Sequence, residues 1–147
     1  MPISSIPMWV EPALKELGNK EVSGPGSNPR ILEYLKTVNI NDNSDEIPWC
    51  SAFVNFIMKN NWIHGTDKAN ARSWMDFGLA SEKQIGAIIV LERGTESWMG
   101  HVGFLMDWKD DGRNLILSGN HNDRVDMDFY INKVLAIRMP DMNKIYA

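Results

Sequence analysis

Apolar residues in the first half of the chain recur three and four positions apart, which is the spacing of helix faces. This spacing predicts helices over residues 8–17, 30–38 and 50–60, and a shorter helix over 71–77. Asn28 and Pro29 are typical of the N-cap and first turn of the second helix. In the third helix, Cys50, Phe53 and Ile57 lie on the apolar stripe.

The second half of the chain changes to short β-prone runs that are separated by turn residues. The runs cover residues 86–92, 101–108, 114–118 and 133–139. Asp111 and Gly112 between two of them indicate a β-hairpin. Helices followed by consecutive strands predict the α+β class, with an antiparallel sheet.

Length and composition narrow the range of functions. A chain of 147 residues with 44% hydrophobic and 23% charged residues predicts one globular domain, residues 1–147. A net charge of -4 argues against a nucleic-acid-binding protein, and no apolar stretch approaches the ~20 residues of a membrane helix. The single cysteine excludes an intrachain disulfide and a CxxC motif.

That cysteine, Cys50, is a candidate nucleophile. It lies in the first turn of its predicted helix, where free backbone N–H groups and the helix dipole stabilise a thiolate. The acidic residues before it predict that this end of the helix faces solvent. The alternative is a buried cysteine that packs as a small hydrophobic residue.

A thiolate nucleophile needs a base, and the chain has three histidines. His64 and His121 fall in predicted turns, where solvated side chains are the simplest interpretation. His101 opens a predicted strand, and the small residues Gly100 and Gly103 beside it would let another element approach the imidazole. A half-exposed sheet histidine remains the alternative.

The third member of such a site orients the imidazole through its other ring nitrogen. Asn120 follows the strand that is predicted to pair with the His101 strand, so it is the candidate. An ordinary turn asparagine is the alternative interpretation, and Ser118 and Asp107 compete for the same role.

Several sequence blocks together resemble the NlpC/P60 and CHAP superfamily of papain-like peptidoglycan hydrolases, in particular its single-domain phage and prophage branch. They are Asp45-Glu-Ile-Pro-Trp-Cys-Ser-Ala-Phe-Val-Asn-Phe, Ala71-Arg-Ser-Trp, Gly100-His-Val-Gly-Phe and Leu117-Ser-Gly-Asn. The resemblance implies that Cys50 is the nucleophile, His101 the base and acid, and Asn120 the orienting residue. Many CHAP domains have Glu two residues before that Asn, where this chain has Ser118.

The resemblance also implies a fold and an activity. The fold would be papain-like, with N-terminal helices on an antiparallel sheet of about five or six strands. The activity would be endolysin-like hydrolysis of a peptidoglycan amide through a thioester, by a monomer without a separate wall-binding domain. Because the N-terminus does not resemble a signal peptide, we expect the protein in the host cytoplasm until it is released to the periplasm or wall.

Two weaker predictions concern substrate and metal. Trp49 and Trp98 flank the candidate site in sequence and are predicted to bind substrate. The Asp42–Glu46 loop has closely spaced oxygen ligands for Ca²⁺ but lacks the glycine and closing glutamate of an EF-hand loop, so a solvated acidic loop is favoured and no cofactor is expected.

Three other functions remain open at this stage. The same cysteine chemistry would serve an interbacterial amidase effector toxin. A zinc amidase would use some of Cys50, His64, His101 and His121, although no HExxH-like spacing supports it. A catalytically inactive domain would use the tryptophans only to hold the wall.

Overall fold

The computed structural model describes residues 6–21, 28–38, 49–95, 97, 99–121 and 123–142. Within these residues the helices come first and the strands follow, as the change in spacing predicts. The helices are α1 (Val10–Leu14), α2 (Pro29–Lys36) and α3 (Cys50–Asn60), followed by a 3-10 helix at Ala71–Asp76.

Local sequence signals explain where two of the helices begin and end. The Asn28 side chain accepts a hydrogen bond of 2.9 Å from the Arg30 N–H, and Pro29 occupies the first turn of α2, so the predicted cap is confirmed. Helix α1 is shorter than predicted: it ends at Leu14, and turns lead to Gly18, whose φ of +92° suits glycine.

The described part of the chain contains one six-stranded antiparallel sheet with the order β1-β6-β2-β3-β4-β5. This architecture confirms the predicted α+β class and strand number. The sequence runs correspond to four strands, whereas β1 and β5 were not among them. The strands are β1 (Leu79–Ala80), β2 (Ile88–Glu92), β3 (Gly100–Trp108), β4 (Asn114–His121), β5 (Arg124–Tyr130) and β6 (Val134–Met139).

Apolar residues cover both faces of the sheet. On one face, Val102, Phe104 and Leu117 pack in the same core as the helices, and α3 lies against β3 and β4. On the other face, Leu105 and Ile116 belong to a second buried cluster, which Tyr130 covers together with residues of β6. Because neighbouring residues of a strand face opposite sides, His101 lies on the second face.

Glycine at position 119 lets the start of α3 approach β4. A β-carbon on Gly119 would lie 2.6 Å from the Trp49 ring and 2.9 Å from the Phe53 β-carbon. Both side chains are fully buried, so neither can move aside without disturbing the core. The glycine therefore fixes how closely the first residues of α3 sit against the sheet.

No helix among the described residues combines the length and apolar character that crossing a bilayer requires.

Gly119→Ala is expected to lower the free energy of unfolding by about 1–3 kcal/mol, because the added methyl overpacks against the Trp49 ring. Urea unfolding measures this change. In the Trp49→Phe background the smaller ring leaves room, so the same substitution should cost less. An equal cost in both backgrounds would contradict this contact as the cause.

Candidate active site

The imidazole of His101 is the centre of a buried polar network. The residue is 2% exposed, and its Nε2 lies 2.8 Å from Ser118 Oγ and 3.2 Å from the Tyr130 hydroxyl. The two hydroxyls are 3.3 Å apart, and the Tyr130 ring stacks on the imidazole at 5.2 Å between centroids. Two side chains, Ser118 and Tyr130, thus contact one ring nitrogen and one face of the histidine.

The other ring nitrogen, Nδ1, lies 3.3 Å from Nη1 of Arg93. A guanidinium only donates hydrogen bonds, so Nδ1 must be the acceptor in this contact. In a neutral imidazole the proton is then on Nε2, which donates it to Ser118 Oγ. The arrangement leaves the basic lone pair of His101 on Nδ1.

Burial keeps this imidazole neutral. Desolvation is the main cause that lowers the pKa of His101 from 6.5 to about 3, and the charges of Arg93 and His121 lower the pKa further in the same direction. The orienting partners are hydroxyl groups without charge, so they do not stabilise an imidazolium as a carboxylate would.

The close approach of β4 to the histidine depends on Gly103. A β-carbon there would lie 2.7 Å from both the Ser118 β-carbon and the Leu117 carbonyl oxygen. Any other residue would push β4 away and lengthen the contact between Ser118 and His101. The small residue that the sequence analysis noted beside the imidazole therefore admits a strand of the same sheet.

Cys50 is the first residue of α3, as predicted, but it is only 5% exposed. The backbone N–H groups of Val102, Ser51 and Cys50 itself and the charge of Arg93 all favour the thiolate. Burial outweighs them and raises the pKa of the thiol. The expectation of a solvent-facing thiolate is therefore wrong: in this structure the cysteine is a buried thiol.

The sulfur and the imidazole lie at the same end of β3 without a hydrogen bond between them. The sulfur is close to the N–H of Val102, the residue after His101, and the charge of Arg93 acts on both groups. In the structure, Arg93 donates a hydrogen bond to Nδ1, the ring nitrogen that carries the basic lone pair.

Asn120 forms no hydrogen bond with the imidazole, whose polar partners among the described residues are Arg93, Ser118 and Tyr130. Asn120 has a φ of +60°, and the pairing of β4 with β5 shifts between Ser118 and His121. Asn120 was predicted from its place after the strand that pairs with the His101 strand, but Ser118, the competing candidate, lies against Nε2.

The predicted substrate-binding tryptophans have different outcomes. Trp49 is fully buried, and its Nε1–H donates a hydrogen bond of 2.8 Å to Glu21. It therefore offers no surface to a substrate, and its position contradicts the predicted role. Trp98 and the Asp42–Glu46 loop lie outside the described residues.

Sequence reasoning missed Arg93 and Tyr130 as site residues. Arg93 follows β2 in a stretch of turn residues, where a charged side chain is usually solvated. Tyr130 pairs in the sheet with Asn114 and reaches His101 only through the folding of the whole sheet. Neither position carries a local sequence signal for the contact.

The other histidines do not combine with Cys50 into a metal site. His64 is exposed, and its Nε2 lies 2.8 Å from Asp67. His121 packs against the Tyr130 ring at 5.1 Å between centroids. Within the described ranges, no three His, Cys, Asp or Glu side chains are grouped closely enough to hold a metal ion, which argues against the zinc alternative there.

Comparison with known protein families identifies a CHAP domain. The family model of the CHAP domain matches residues 42–120, just over half of the chain. The match includes Cys50, His101 and Ser118 and ends at Asn120. A comparison with curated protein sequences finds no significant match.

The low pKa of His101 predicts a stability that falls in acid. Above pH 6.5 the His101 side chain is neutral in both the folded and the unfolded state. Between about pH 6.5 and pH 3 the imidazole is protonated in the unfolded state but stays neutral in the folded state, so the unfolded state is stabilised as the pH falls. At about pH 4.5 this difference should cost about 2–3 kcal/mol of the free energy of unfolding.

Urea unfolding at about pH 7.5 and about pH 4.5 tests this cost against the His101→Gln variant. The variant should lose less stability between the two pH values, because its side chain does not titrate. An equal loss in both proteins would show that His101 is not held neutral in the folded state.

Proposed function

The chain belongs to the CHAP domain family, and from this premise and the geometry of the site we propose that it hydrolyses an amide bond of the peptidoglycan peptide with Cys50 as nucleophile. Members of the family are typically cysteine amidases or peptidases that act on peptidoglycan. The observation that carries the proposal is the placement of the chain's one cysteine, at the start of a helix, beside the strand end that holds a buried, neutral histidine.

The chemistry starts from a neutral pair. As the sulfur attacks the amide carbonyl, Nδ1 of His101 accepts the thiol proton, which avoids a separate charged resting state in a buried site. The N–H groups at the start of α3 would hold the oxyanion that develops on the carbonyl oxygen. His101 then gives the proton to the leaving amine, and a thioester to Cys50 remains.

Hydrolysis of the thioester uses the same imidazole in the reverse direction. Nδ1 accepts a proton from water, the hydroxide adds to the thioester carbonyl, and the thiol of Cys50 leaves with that proton. The products are a carboxylic acid and an amine. No metal ion or redox cofactor enters these steps.

Ser118 and Tyr130 support the proposed base without touching the substrate. Arg93 donates to Nδ1, so the ring proton is on Nε2, where it is donated to Ser118 Oγ, and the basic lone pair of the imidazole is on Nδ1. Burial raises the pKa of Tyr130 to about 12, so its hydroxyl keeps its proton and remains a neutral partner. In this proposal Ser118 and Tyr130 orient the imidazole, which is the role that the sequence predicts for Asn120.

As for the biological role, we propose an endolysin: a protein held in the host cytoplasm and then released to the cell wall. Its scissile bond is the muramoyl–L-alanine amide or an amide within the stem peptide or cross-bridge. Mass spectrometry of muropeptides released from purified sacculi identifies the bond by the new amine and the new carboxylic acid.

Cys50→Ala is expected to reduce amine release from sacculi by about a thousandfold or more, because no other thiol is present to form the thioester. Circular dichroism and urea unfolding show whether the variant keeps its fold. Wall hydrolysis by folded Cys50→Ala at the wild-type rate would refute the proposed nucleophile.

The histidines provide a matched pair of variants. His101→Ala should lower kcat by at least about a hundredfold through loss of the general base, whereas His64→Ala should leave kcat unchanged. Amine release under identical conditions compares them. Equal effects of the two substitutions would contradict the assigned roles.

A further inference from the structure

We propose that Arg93 binds a carboxylate of the substrate next to the scissile amide, so that the enzyme selects peptides with a free carboxylate at that place. This inference rests on the proposed function and names a specificity-determining residue for it.

The position of Arg93 is the first observation. The residue directly follows β2, and its side chain is exposed overall, yet Nη1 lies 3.3 Å from Nδ1 of the buried His101. The guanidinium therefore reaches from solvent to the imidazole. The charge of the same group acts on Cys50, so a carboxylate bound by Arg93 would lie near the proposed nucleophile.

The second observation is that the cation of Arg93 lacks an acidic partner among the described residues. No carboxylate of the described chain forms a salt bridge with it, whereas Arg30 pairs with Glu16 and Arg113 pairs with Asp111. One hydrogen bond to a neutral ring nitrogen leaves most of its donors unused. A guanidinium fork fits a carboxylate through two parallel hydrogen bonds.

The third observation concerns the other groups of the site. Apart from Arg93, the hydrogen-bond partners of the imidazole are the uncharged hydroxyl groups of Ser118 and Tyr130. Cys50 is a buried thiol, because burial raises its pKa. The charge of Arg93 acts on Cys50, His101 and Tyr130 alike. Asp126 and Asp128 act on Tyr130 in the opposite direction, whereas the charge that acts on Cys50 is that of Arg93, so a substrate carboxylate near the sulfur would find its cationic partner in Arg93.

Carboxylate binding would also release the base. Nδ1 has one lone pair, and in the free enzyme Arg93 donates to it, so the lone pair cannot accept the Cys50 proton at the same time. A carboxylate that draws the guanidinium away frees Nδ1 for that proton. Selection by Arg93 should therefore appear in kcat as well as in KM.

A pair of synthetic stem peptides tests the specificity in turnover. The two peptides are identical except that the carboxylate nearest the scissile bond is replaced by a carboxamide in one of them. Wild-type protein should cleave the carboxylate form with a kcat/KM about 10- to 100-fold higher. Arg93→Met should reduce this ratio to near one, and Arg93→Lys should retain part of it.

Arg113→Met is the matched control for the change in net charge. Arg113 lies beyond the hairpin turn at the other end of β3, where it pairs with Asp111, so this variant should keep the wild-type ratio. A wild-type ratio near one, or a high ratio that persists in Arg93→Met, would overturn the proposal.

Calorimetry in the Cys50→Ala background separates binding from catalysis. The carboxylate peptide should bind about 10- to 100-fold more tightly than the carboxamide peptide, and the added Arg93→Met change should remove the difference. If neither peptide binds while wild-type protein cleaves sacculi, the Arg93 proposal fails and the proposed function stands. If the binding preference is found but nothing is cleaved, the proposed function fails and the Arg93 site stands.

Discussion

The hydrogen bond between His101 Nε2 and Ser118 Oγ is the contact on which the site depends. It joins two adjacent strands, β3 and β4, and Gly103 lets those strands come close enough to form it. In the tautomer that the Arg93 donor at Nδ1 selects, Ser118 Oγ accepts the Nε2 proton, so Nδ1 carries the basic lone pair. The packing of β4 against β3 at Gly103 therefore determines whether His101 can form this hydrogen bond.

Burial determines the charge state in which this site rests. A solvent-exposed pair of cysteine and histidine next to a carboxylate would favour thiolate and imidazolium. Here both groups are desolvated, the orienting partners are hydroxyls, and Arg93 opposes a charged imidazole. The resting pair is thus a thiol and a neutral imidazole, and charge develops only when a substrate is attacked.

Features that depend on neighbouring residues could be predicted from the sequence. The cap at Asn28, the start of α3 at Cys50 and the hairpin after β3 all follow from short-range rules. The burial of Cys50 and the contact of Tyr130 with the histidine depend on distant parts of the chain. Asn120 was predicted from its place after the strand that pairs with the His101 strand, and that place did not reveal the positive φ at Asn120 or the register shift between Ser118 and His121.

Nitrogen NMR of the imidazole rings tests the central claim most directly, with His101 assigned by the His101→Gln variant. The account predicts a neutral ring with its proton on Nε2, and the same signal from about pH 7 down to about pH 5, where an ordinary histidine would titrate. A proton on Nδ1, or a titration of His101 near its ordinary pKa, would contradict the account.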